Sequence, residues 1–127
     1  MTDTMNPTRN IFDDLPASSM EEDISILFER PGAMIERIVS TGQASPPGFW
    51  YDQDWTEWVV LLAGAARLRF EDEAEDRVFA PGDHALIAPR RRHRIEWTQS
   101  EPPTLWLAVH IREESAALAS GAKQSAS

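Results

Sequence analysis

A chain of 127 residues of which 42 % are apolar is long enough to close one domain around a core, and its composition excludes a natively disordered protein. The formal charge of −9, from 21 acidic against 12 basic residues, excludes nonspecific binding to nucleic acid or to an anionic membrane, both of which need a basic face. Cysteine is absent, which removes disulfide and thiol chemistry; the opening MTDTMNPTRNIFDDLP has no apolar segment of the signal-peptide kind, and the run from Trp58 to Ala66 is too short to span a bilayer, so a soluble cytoplasmic protein is expected.

Residues 1–22 are polar, are punctuated by Pro7 and Pro16, and read as a flexible N-terminal arm in which Ile11, Phe12 and Leu15 form a short apolar turn. Ser19-Met20-Glu21-Glu22 has the look of a helix start, but no helical period follows it. Ile24 to Glu29 and Met34 to Ser40 read as strands separated by Pro31-Gly32, the second alternating Met34, Glu36 and Ile38 against Ile35, Arg37 and Val39. Thr41 to Gly48 is a loop, because Pro46-Pro47 cannot join a central ladder. Further strands are expected at Glu57 to Leu62 and at Ala66 to Glu71, whose alternation suits a sheet with one wet face. An acidic tip, Glu71 to Asp76, then leads into Arg77 to Ala80, and Pro81-Gly82-Asp83 is a turn. Ala85 to Ala88, Arg94 to Thr98 and Thr104 to Ile111 complete the set. Many short strands at close spacing predict an all-β sandwich or barrel over 23–112, followed by a disordered tail over 113–127.

Several residues carry chemistry in that frame. Glu57 lies between Trp55 and Trp58-Val59, in a segment expected to be buried, and a buried carboxylate must be paired, metal-bound or protonated. Its reading is a ligand or a general acid/base, with a structural ion pair to an arginine such as Arg94 as the alternative. His93 sits in the run Arg90-Arg91-Arg92-His93-Arg94, whose charges favour a neutral, coordinating imidazole. The same arginines either steer an anion to the barrel mouth or pair with the acidic tip. His110 ends the last strand as a pocket residue or a satisfied core histidine, and His84 reads as a surface residue. Five tryptophans are many for this length and suit an aromatic-walled pocket, core filling or an interface.

The sequence EWVVLLAG, from Glu57 to Gly64, is followed by Gly82-Asp83 and then His93; this order resembles the two-motif core of the cupin superfamily over roughly residues 34–111. GFWYDQDWTEWVVLLAG is similar to a group of small single-domain bacterial cupins. The resemblance implies an all-β cupin-like double-stranded β-helix, an RmlC-like jelly-roll barrel. It also implies a homodimer joined sheet to sheet, with Trp58 outside the barrel, and a divalent metal (Mn, Fe, Ni or Zn) within it. The family's His-x-His pair is missing, Ala88 stands at the second motif's proline position and Trp97 replaces its asparagine. Residues two apart on a strand share a face, so an inward Glu57 brings Trp55, Gln53 and Tyr51 with it. Tyr51 and Gln53 then occupy the His-x-His positions, whereas a spacing one residue longer selects Trp50 and Asp52 and needs a bulge. The site so implied has Tyr51, Glu57 and His93 as catalytic residues. Gln53, Glu57 and His93 are its metal ligands, and Trp55, Arg92, Trp97 and His110 are its substrate contacts. The function implied is a metal-dependent oxygenase, isomerase or lyase acting on a small anionic organic molecule; the alternative is a metal-free small-molecule-binding module. A transcription regulator is not expected, because no helix-turn-helix segment accompanies the barrel and the net charge is of the wrong sign for DNA.

Overall fold

The computed structural model describes residues 7–112. The expected tail over 113–127 and the first six residues of the expected arm lie outside the described residues. Eight strands follow one another: β1 (Asp23–Arg30), β2 (Ala33–Ser40), β3 (Thr56–Ala63), β4 (Ala66–Phe70), β5 (Arg77–Phe79), β6 (His84–Ile87), β7 (His93–Thr98) and β8 (Thr104–Ile111). Among the described residues there is no helix, and so none long and apolar enough to cross a membrane.

The strands form two antiparallel sheets, one in the order β1-β2-β8-β3-β6 and one in the order β5-β4-β7. Their inner faces meet in one core. Val59, Leu61, Ala85, Ile87, Trp106 and Ala108 come from the larger sheet, and Ala66, Leu68, Phe70 and Phe79 from the smaller. The Phe79 and Trp106 rings, 5.5 Å apart, bridge the two. Alternation does the sorting: along β4, Ala66, Leu68 and Phe70 are buried while Arg67 is exposed. The chain passes from one sheet to the other between β3 and β4 at Gly64, whose φ is +85°. A Cβ there would lie 2.7 Å from the Thr104 Cα, so the turn needs glycine for both its conformation and its clearance.

The outer face of the larger sheet carries an apolar row in direct register: Phe28, Ile35, Val109, Trp58 and Leu86 on five successive strands. Trp58 donates its indole N–H to His84 Nδ1 at 3.2 Å on this face, so both side chains belong to the outside of the barrel.

Two irregularities position the site. The segment before β3 forms no continuous strand, yet it is stitched to β7: Tyr51 N–H donates to the His93 carbonyl (2.7 Å), His93 N–H to the Tyr51 carbonyl (3.2 Å), and Ser45 N–H to the Ile95 carbonyl (2.9 Å). Arg94 fastens the same segment from outside, donating to the carbonyls of Ser45, Pro46 and Phe49 at 2.9–3.1 Å and to the Glu96 carboxylate at 2.9 Å. The second irregularity is a bulge in β7, where Ile95 faces Leu68 and Trp97 faces Arg67, so that Glu96 is the extra residue.

Candidate functional site

Glu57 opens β3 on the inner face of the larger sheet. Its register partner on β8 is His110, whose partner on β2 is Met34, with Glu36 two residues further along the same face. Across the barrel, β7 begins with His93. These elements enclose a cavity of about 230 Å³. Its wall is apolar over Ile24, Met34, Ile38, Ile87, Ile95 and Trp106, and polar where Glu22, Glu36, Glu57, His93, His110, Tyr51 and Gln53 enter.

Two carboxylate–imidazole pairs organise the polar part. Glu57 Oε1 lies 3.8 Å from His93 Nε2, with both side chains nearly closed off from solvent, at 12 % and 6 % exposure. The His93 ring is oriented from behind. Its Nδ1 is 2.9 Å from the Arg91 carbonyl, which can only accept, so Nδ1 carries the proton and the Nε2 lone pair faces Glu57. Tyr51 stacks on this ring with centroids 5.4 Å apart. In the second pair, His110 Nε2 lies 3.1 Å from Glu36 Oε1, and Trp55 packs edge-on against the imidazole at 4.9 Å. His110 Nδ1 and Trp55 Nε1 are buried with no hydrogen-bond partner.

Burial sets the proton affinities. Desolvation pushes the Glu57 carboxyl above the ordinary carboxylate range; His110 opposes this and the Glu36 charge adds to it. Desolvation pushes His93 below the ordinary imidazole value, against the hydrogen bond to the Arg91 carbonyl and with help from the Arg91 charge. Both members therefore favour their neutral forms. Glu57 holds a proton at higher pH than a surface glutamate, and His93 offers a free lone pair at lower pH than a surface histidine. Burial likewise raises Glu22, which accepts a 3.3 Å hydrogen bond from Ser40 Oγ, and it raises Tyr51, to which the Glu22 and Glu57 charges add.

Of the residues singled out from the sequence, Tyr51, Gln53, Trp55, Glu57, His93 and His110 all line the cavity. Their alternation holds although 51–55 is mostly not strand. Asp52, on the opposite parity, points to Arg90 at 2.9 Å and does not line it. Arg92 and Trp97 are corrected: neither reaches the cavity. Arg92 is 43 % exposed and pairs with Glu71 at 3.0 Å. Trp97 is 41 % exposed beneath the Arg67 guanidinium, because the bulge at Glu96 reverses the parity that an unbroken strand would have carried from His93 through Ile95. Nor is Arg94 the partner of Glu57; it is committed to Glu96 and to the carbonyls of the preceding loop. The arginine run matches the acidic tip instead, with Arg91 on Asp72 and Glu73 at 3.0 Å and Arg92 on Glu71. Among the described residues no Arg or Lys lines the cavity, so an anion would meet three of their carboxyl groups and none of their fixed positive charges.

The sequence reasoning missed Glu22 and Glu36. The signal for Glu36 was present: it stands between Met34 and Ile38 on the apolar face of β2, where a carboxyl is out of character. Among the described residues no three His, Cys, Asp or Glu side chains converge as a set that could hold a metal ion. Gln53, Glu57 and His93 thus supply two strong donors and one neutral amide, short of the three or four that tight binding needs.

Neither a family model nor a curated protein matches the sequence. Solved structures do. A protein of Ralstonia eutropha JMP134 described as a putative mannose-6-phosphate isomerase is 45 % identical, with a TM-score of 0.81 over 84 % of this chain and 98 % of its own. A cupin superfamily protein of Desulfitobacterium hafniense DCB-2 has the same fold at 13 % identity and a TM-score of 0.65, covering 78 % of this chain and 84 % of its own. An RmlC-like cupin family protein with a double-stranded β-helix fold from Methanocaldococcus jannaschii aligns at 14 % identity and a TM-score of 0.62, covering 83 % and 93 %.

Proposed function

The chain belongs to the cupin superfamily, and from that premise we propose that it is an enzyme of the isomerase or lyase kind that moves protons on a small organic molecule held inside the barrel. The observation that carries this reading is the Glu57–His93 pair: an acid and a base 3.8 Å apart, both nearly closed off from solvent, with proton affinities drawn towards each other by desolvation. In the step proposed, His93 Nε2 takes a proton from an acidic C–H of the ligand while the Glu57 carboxyl gives one to the oxygen on which negative charge develops. The reverse transfers restore the enzyme. The carbonyl of Arg91 stabilises the imidazolium that forms, and Tyr51, stacked on the ring, keeps it aligned. The name of the Ralstonia protein, which describes an isomerase, agrees with this class of chemistry.

The metal-dependent scheme is the second reading. It has one observation in its favour: an imidazole whose Nδ1–H is fixed by a backbone carbonyl presents Nε2 as metal-bound histidines do. The donor set beyond Glu57 and His93 does not fit it, since Gln53 adds only a neutral amide.

The test measures deuterium wash-in from D2O by proton NMR over a panel of aldoses, α-amino ketones and mannose 6-phosphate, with elemental analysis of the same untagged protein. The expected result is wash-in into at least one compound, abolished in His93→Gln and Glu57→Gln, from protein without stoichiometric metal. Wash-in that persists in His93→Gln removes the assigned base. Stoichiometric metal that is lost in Glu57→Ala/His93→Ala establishes the second reading in place of the first.

A further inference from the structure

The polar part of the cavity has a consistent chemical sense. Glu22, Glu36 and Glu57 enter it, and among the described residues no guanidinium or ammonium group does. The arginines nearest in sequence to the site are spent outside the barrel on Asp52, Glu71, Asp72, Glu73 and Glu96. A second feature is independent of these carboxyls. His110 is 6 % exposed and lines the cavity. Its Nε2–H is used by Glu36, which makes Nδ1 the lone-pair atom, and Nδ1 has no partner. A buried acceptor without a donor is uncommon in a folded protein and marks a place where something donates.

We infer that the cavity selects a small protonated primary amine, with Glu36, Glu57 and His110 Nδ1 as the acceptors for its three N–H bonds. This deepens the proposal above, on which it rests only for the use of the same cavity. An ammonium group has three donors, which suits the carboxyl oxygens and the free His110 Nδ1; the cavity's own donors, the buried Trp55 N–H, the Gln53 amide and the Tyr51 hydroxyl, are left for polar atoms elsewhere on the ligand. Its charge compensates the Glu36 carboxylate, and a protonated Glu57 still accepts through its carbonyl oxygen, whereas a carboxylate or phosphate would meet no compensating arginine or lysine among the described residues. The Tyr51, Trp55 and Trp106 rings that line the same space attract a cation and cover a hydrocarbon body of benzyl size.

The experiment compares three probes of one shape and different charge, benzylamine, benzyl alcohol and benzoate, by isothermal titration of the full chain at neutral pH. Benzylamine is expected to bind about tenfold or more tightly than the alcohol, with benzoate not binding. Glu36→Gln, which keeps an acceptor for His110, is expected to reduce the amine's affinity about tenfold and to leave the alcohol's unchanged; Glu22→Gln serves as the second variant should the first fail to fold. Equal binding of alcohol and amine, tighter binding of benzoate, or no amine binding at millimolar concentration overturns the inference. His93→Gln separates it from the catalytic proposal: amine binding that survives this substitution stands whether or not proton transfer is found.

Discussion

Glu57 is a carboxyl that folding largely removes from water with no arginine or lysine paired to it among the described residues, and its stability consequence has a definite sign. In the unfolded chain it titrates near the ordinary value of 4.5; in the fold burial keeps its proton on to higher pH. Between those two values the folded state binds the extra proton, so stability is lost as pH rises through the interval. Glu57→Gln removes the penalty. The variant is expected to have a higher urea midpoint than wild type at about pH 8, the difference vanishing as pH falls below the ordinary carboxyl value. A lower midpoint at alkaline pH would mean that the native carboxylate is compensated there, as by a bound ion. His93 has the opposite sign. Its folded pKa lies below the ordinary 6.5, so the unfolded chain takes up the proton first and stability falls as pH drops below that value.

At the scale of elements, the loop before β3 matters more than its lack of regular structure suggests. Arg94 holds three of its carbonyls and is only 14 % exposed at the side chain. Arg94→Leu leaves those carbonyls and Glu96 without a donor and is expected to cost about 2–4 kcal/mol in chemical denaturation, with faster amide exchange at Tyr51 than in the core of β3. Loss of stability without faster exchange at Tyr51 would show that the loop is held by other means. The eight strands were largely legible from alternation and turn residues, because one face of each is buried and the pattern records which. The bulge at Glu96 was not, since an extra residue is defined by the partner strand's register, and a single strand's sequence does not contain it. That is why His93 was read correctly as facing inward and Trp97, four residues on, was not. Glu36 was passed over for a different reason: its importance comes from His110, which β2 meets only once the sheet is assembled.

For the molecule as a whole, the apolar row from Phe28 to Leu86 spans all five strands of the larger sheet and is exposed at its two ends, 49 % and 64 %. A homodimer, the assembly expected from the sequence, would seat here, because a row perpendicular to the strands can meet its own copy about a two-fold axis. Sedimentation velocity is expected to give a dimer for wild type and a monomer for Phe28→Glu/Leu86→Glu, with the barrel still folded. A monomeric wild type would rule out the dimer, and a dimeric double variant would move it to another face. The reciprocal hydrogen bonds between Tyr51 and His93 bear on traffic into the barrel. The panel that carries Tyr51 cannot serve as the door, because swinging it open would unhook the imidazole it leans on.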